Sequence, residues 1–170
     1  MRYSPRMDDA VDRMMEQWRT VRPELDPSPM GVFGRISRLN RLLEKHINSY
    51  FGLFGLEFWE FDMLATLRRA GDDGELTAGA LLKASMVTSG AITNRIDRLE
   101  RKGLVERRQD PADRRSVRVS LTAEGGRLID EMMAGHFANE NRVLEALEDP
   151  AVLAGELRKL LISLGDTSLG

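Results

Sequence analysis

The residues best equipped for chemistry in this 170-residue chain are arginines, and arginine chemistry is the binding of anions. Between Arg95 and Arg118 nine Lys/Arg (Arg95, Arg98, Arg101, Lys102, Arg107, Arg108, Arg114, Arg115, Arg118) stand against five Asp/Glu. A guanidinium presents its donors in a planar fork that matches phosphate oxygens and the major-groove edge of guanine. From Leu121 to the C-terminus the balance reverses, with four bases against nine acids. The formal net charge of -2 conceals this polarity. A basic middle beside an acidic tail suits a phosphate-contacting module joined to a part kept away from phosphate. Taken alone, the same counts also suit an ordinary solvated helix surface.

Other chemistries lack their residues. There is no cysteine, so a disulfide framework, a thiolate metal cage and a thiol redox switch are excluded. His46 and His136 are isolated from further ligands, so no metal site is expected. Serine, histidine and aspartate occur without a nucleophile context and no glycine-rich phosphate loop appears, so neither an enzyme nor a bound cofactor is expected. The first fourteen residues mix charges through what would have to be an apolar signal core, and no later run approaches the eighteen or so apolar residues of a membrane span. The expectation is a cytoplasmic protein with no membrane partner. With 42% hydrophobic residues, the chain can bury one core, with appendages.

The elements that must position the arginines follow from caps and periodicity. Asp8 or Asp9 caps a first helix with Val11, Met14, Met15, Trp18 and Val21 at helical spacing, ended by Pro23, Pro27 and Pro29. Ser28 and Pro29 open a second helix, striped by Val32, Ile36, Leu39, Leu43, Ile47 and Tyr50 and stopping near Gly52. Its other side carries Arg35, Arg38, Arg41 and Lys45. A third, from about Glu57 to Arg69, is apolar nearly all round and therefore central. Thr77 caps a short helix to Lys83, and after a turn Thr88 or Ser89 starts another that reaches Lys102, stopped by Gly103. That is helix-turn-helix spacing. Leu104 to Gln109 and Val117 to Leu121 read as two short strands joined by a basic-tipped loop. Thr122 caps a long helix to about Glu148, and Asp149-Pro150 opens a last one with a Leu153, Leu157, Leu160, Leu164 stripe. The expected fold is mainly α with a small β-hairpin wing: a winged helix-turn-helix flanked by long helices.

On a wheel of about one hundred degrees per residue, Ile92, Ile96 and Leu99 face the core. The opposite side carries Gly90, Asn94, Asp97, Arg98 and Arg101, with Thr93 at its edge. These amide and guanidinium donors can reach base edges in a major groove. The expected DNA contacts are Thr88, Ser89, Gly90, Thr93, Asn94, Arg98 and Arg101 from this helix, with Arg114 and Arg115 from the wing tip reaching minor groove or backbone. Asp113 either forms the turn or orients one guanidinium. Arg95 falls at the edge of the apolar stripe, where a cation needs a carboxylate or an anionic ligand. Asp62, mid-helix between Phe61 and Met63, needs a polar partner, and Arg95 is the candidate.

The segments LTAGALLKASMVTSGAITNRIDRLERKGLV and ERRQDPADRRSVRVSLTAEG resemble the helix-turn-helix and wing of the MarR family of transcription regulators. The resemblance runs from about Pro29 to the C-terminus. It implies a homodimer, formed by helices from both chain ends, on a pseudo-palindromic double-stranded operator. The implied division is 1–28 extra N-terminal helix and linker, 29–55 dimerisation helix, 56–121 DNA-binding domain, and 122–170 C-terminal dimerisation helices. A narrower resemblance, to the urate-responsive subgroup, rests on the added helix with Trp18, on Asp62 in FDMLATLRRAG, on Arg95 in AITNRIDRLE and on Arg107 in LVERR. It implies that Trp18 contacts a purine such as urate or xanthine, that Arg95 attracts its anionic form, that Asp62 senses it, and that binding lowers operator affinity. Another small anion, such as a phenolic acid, is an equal fit to the residues. Singly, Trp18 can be packing, Asp62 and Arg95 a structural ion pair, and Arg107 a phosphate contact. The rival readings are a constitutive DNA-binding or chromosome-organising protein without a ligand, and a winged helix turned to protein interaction.

Overall fold

The computed structural model describes residues 8–70, 74–85, 92–110 and 116–167. The chain forms two units, Met1–Tyr50 and Phe51–Gly170.

In the first unit, α1 (Ala10–Val21) begins at the N-cap Asp9, whose Oδ1 accepts from the backbone N–H of Val11 at 2.6 Å and of Asp12 at 3.0 Å. Asp12 returns the bond to the Asp9 N–H, completing a capping box. The helix meets α2 (Met30–Gly52) through a small-residue contact: a Cβ placed on Gly34 would lie 3.2 Å from Val11, the buried apolar residue of α1. Arg35 seals the same junction, its Nε donating to Asp9 at 2.8 Å and its Nη2 to Asp12 at 2.7 Å. Much of the α2 stripe is left uncovered, with Val32, Ile36 and Leu39 all exposed.

The second unit is built around α3 (Phe58–Arg69), every residue of which from Glu60 to Leu67 is buried. The expectation of a central third helix holds, with the qualification that two of its buried residues, Glu60 and Asp62, are carboxylates. Phe51 stacks on Phe61 at 4.2 Å, and His136 closes on Phe61 edge-on at 4.7 Å, so His136 is a packing residue of the core. Among the described residues no His/Cys/Asp/Glu group could hold a metal ion, and no helix is long and apolar enough to cross a membrane.

Around α3 lie α4 (Ala78–Ala84), capped by the Thr77 hydroxyl, and α5 (Ile92–Arg101). Three antiparallel strands follow the order β1-β3-β2: β1 (Glu75–Thr77), β2 (Val105–Gln109) and β3 (Val117–Leu121). The register pairs Arg107 with Val119 and Leu76 with Val119 on the other side. The two wing strands are those read from the sequence. The third, β1, was not expected: at three residues it has no alternation of its own and exists by pairing with β3.

α6 (Ala123–Leu144) is capped by Thr122 and ends four residues short of the expected Glu148; α7 (Pro150–Ser163) starts as expected at the Asp149 cap. A tight joint fixes the start of α6. Thr122 donates its N–H to the Leu104 carbonyl and its hydroxyl to the Gly103 carbonyl. A Cβ on Gly125 would fall 2.0 Å from the Leu104 oxygen, so only glycine fits there. Gly103, at φ 70°, turns the chain out of α5. α7 buries no residue, and its Leu153, Leu157, Leu161 and Ile162 are exposed.

Candidate nucleic-acid interface

α5 is fixed from below by Ile96 and Leu99, both fully buried, as the wheel requires. That leaves Thr93, Asn94, Arg98 and Arg101 exposed. Four of the expected DNA contacts are therefore on the outer face of one helix. Thr88, Ser89 and Gly90, and the wing residues Arg114 and Arg115, lie outside the described residues.

Arg107 reaches from β2 to brace this helix. Its Nη1 donates to Glu100 at 2.6 Å, and its Nη2 to Asp97 at 2.5 Å and to the Thr93 carbonyl at 3.3 Å. One guanidinium thereby ties two successive turns of α5 to the wing sheet. Behind the helix a cleft of about 500 Å³ opens, lined among others by Thr77, Thr93, Asp97, Arg107 and Val117. At the wing root Arg118 donates to the buried Asp110 at 2.8 Å, and Asp110 donates its N–H to the Ser116 carbonyl at 3.0 Å. The hairpin arm is thus held close to where the described strands end.

Of the residues singled out for an anionic ligand, three lie in the second unit and one in the first. Arg95 is half-buried, as its place at the stripe edge requires, with its guanidinium carbon 5.4 Å from the centroid of the Trp59 ring. Asp62 is 1% exposed in the interior of α3. Arg107 is the brace just described. Trp18, in the first unit, is exposed on α1 at 47%.

The sequence reading missed a cluster at the other end of α5. Arg98, placed on the groove-facing side, is exposed, but its Nη2 donates to Glu57 at 2.6 Å and its carbon lies 4.8 Å from the Trp59 centroid. Glu57 also accepts from Trp59 Nε1 at 3.1 Å. Arg98, and after it Trp59, hold the Glu57 carboxyl below the usual carboxylate range, while Glu57 raises the Arg98 guanidinium. Next to them Glu60, wholly buried, takes Lys102 Nζ at 2.7 Å and the Glu57 N–H at 2.9 Å. Lys102 donates as well to the Gly55 carbonyl. In sequence Glu57 marks only the approximate start of the third helix; the cationic partners lie some forty residues away.

The MarR family model matches residues 60–117. The chain is 35% identical to the HTH-type transcriptional regulator PecS of Dickeya dadantii over 90% of its own length and 95% of that protein's. Its fold is similar to a MarR mutant from E. coli complexed with operator DNA (TM-score 0.68, 27% identity, 85% of this chain and 97% of that one). It is similar also to Bordetella bronchiseptica BpsR, whose DNA binding is regulated by 6-hydroxynicotinic acid (TM-score 0.68, 25% identity, 81% and 94%). A winged helix with a polar outward face on α5, matched across almost the whole of a transcriptional regulator, settles the assignment: the chain belongs to the MarR family of winged-helix transcription regulators.

Proposed function

We propose that this protein binds a pseudo-palindromic operator as a homodimer and is released from it by a small anionic ligand, urate or a related purine such as xanthine. The observation that carries the DNA half is the outer face of α5, where Thr93, Asn94, Arg98 and Arg101 stand exposed on a helix held by its apolar side and by Arg107. Groove readers need a rigid helix with donors on one side, and this one has both. The MarR complex with operator DNA supports the same use of the fold. The uncovered apolar residues of α2 and α7 support the homodimer.

The ligand half rests on Trp18, Asp62, Arg95 and Arg107. Arg107 supplies a physical route: a planar anion that takes over its guanidinium releases Asp97 and Glu100, and α5 loses its tie to the wing. BpsR, regulated by a small aromatic carboxylic acid, supports the class of ligand. The test is a titration of urate and xanthine into protein bound to labelled duplex from upstream of its own gene. We expect release from DNA and a raised melting temperature with at least one of the two. We expect Trp18→Phe and Arg95→Ala to blunt the release, and Arg101→Ala to weaken DNA binding while leaving the ligand-induced rise in melting temperature. A flat response to both purines and to simple phenolic acids favours constitutive DNA binding instead.

A further inference from the structure

Arg98 stands on the DNA-facing side of α5, yet a carboxylate of its own chain already occupies its guanidinium. Glu57 Oε1 accepts from Arg98 at 2.6 Å, while Glu57 Oε2 accepts from Trp59 Nε1 at 3.1 Å. The indole whose N–H fixes the carboxylate also lies beneath the cation, 4.8 Å from ring centroid to guanidinium carbon. Three groups thus close a small circuit on the surface of the second unit.

We propose that Glu57 stands in for a DNA phosphate: it holds Arg98 in a resting position from which DNA must displace it, and so sets how tightly the protein binds DNA. This rests on the operator-binding reading. Two features make the exchange feasible. The side chains of Arg98 and Glu57 are 44% and 58% exposed, and such pairs are weak in water and screened by salt, whereas a phosphate contact gains from counterion release. The phosphate can therefore displace Glu57, and the ion pair is a modest cost that DNA binding must meet. Second, the buried Glu60 carboxylate, 3.8 Å from Arg98, has Lys102 at 2.7 Å. When Arg98 leaves, the buried charge keeps its cation, so departure does not carry the cost of an uncompensated carboxylate in the interior. Lys102 is the fixed cation of the cluster and Arg98 the exchangeable one.

The test is a double-mutant cycle read by fluorescence anisotropy, on a duplex from upstream of the protein's own gene and on an unrelated duplex of equal length. Wild type, Glu57→Gln, Arg98→Ala and the double variant are compared at about 0.15 M salt. We expect Glu57→Gln to bind both duplexes about two- to five-fold more tightly, and the same substitution to have little effect when Arg98 is alanine. An unchanged or weaker Glu57→Gln overturns the proposal. So does an equal gain in both backgrounds, which would mark a general loss of negative charge. A fluorescence measurement guards against a misfolded variant. In Trp18→Phe, Trp59 is the one remaining tryptophan, and we expect saturating duplex to change its emission. No change, or the same change with Arg98→Ala added, overturns the latch. Wild type that binds neither duplex at low salt overturns the operator reading and the latch with it, whereas wild type that binds while Glu57→Gln gains nothing sinks the latch alone.

Discussion

Two carboxylates four residues or fewer from the start of α3 show how environment separates like residues. Glu57 is exposed and exchangeable; Glu60 is fully buried and committed to Lys102. Replacing Lys102 by Met removes the near cation and leaves Glu60 with the more distant Arg98. We expect a loss of about 2–4 kcal/mol in urea unfolding, and a smaller loss for Lys102→Arg, which keeps the charge. Glu57 gives a pH signature. Its carboxyl is held low by Arg98, so the pair contributes stability fully present above the unfolded value near 4.3 and lost as the pH falls through the lower folded value. In thermal melts between about pH 5 and pH 3, the fall in melting temperature with acid should be shallower for Glu57→Gln than for wild type. The roles of Asp97 and Glu100 were not legible on a helical wheel, because a wheel shows direction and not partners. Asp97 falls on the outward side, but Arg107 draws it into the brace from a strand that no wheel includes.

At the scale of elements, four N-caps were plainly legible, whereas α6 stops four residues early and the Ser28 hydroxyl, read as a cap, donates to Asp26 ahead of an α2 that starts at Met30. Asp9, Thr77, Thr122 and Asp149 each start the helix their side chains promised, because an N-cap bond is local and needs only its own next turn. What escaped was set by distant partners: β1, made by pairing with β3, and the Glu57 cluster, closed across about forty residues. The joint between α5, β2 and α6 gives a sharp expectation. Gly125→Ala drives a methyl into the Leu104 carbonyl, and we expect a loss of at least 3 kcal/mol on the order of severe overpacking, measured by chemical denaturation. In α1 the Asp9 carboxyl is kept low first by the Asp12 N–H, then by Val11 and Arg35. Hydrogen exchange of the α1 amides should therefore quicken as the pH drops below about 4, after correction for intrinsic rates, and Asp9→Asn should flatten that dependence while retaining the cap.

At the scale of the molecule, uncovered apolar side chains among the described residues call for a covering surface. Leu153, Leu157, Leu161 and Ile162 of α7, and Val32, Phe33, Ile36 and Leu39 of α2, are exposed in the single chain. Their burial between copies fits the dimeric fold of the family; Val32, Ile36, Leu39, Leu153 and Leu157 lie on the stripes that helical period reveals in sequence, whereas Phe33, Leu161 and Ile162 lie off them. Sedimentation should give twice the 19.2 kDa chain mass, and Leu157→Glu with Leu161→Glu should lower it to one. The joint where Gly103 and Leu104 accept both donors of Thr122 bears on how a regulator of this build can be controlled. Two residues just past the end of α5 thus hold the N-cap of α6 directly. We expect a tilt imposed on the first turn of α6 to reach the last turn of α5 through this joint, as a crank turns on a shaft, by rotation and without any segment having to melt.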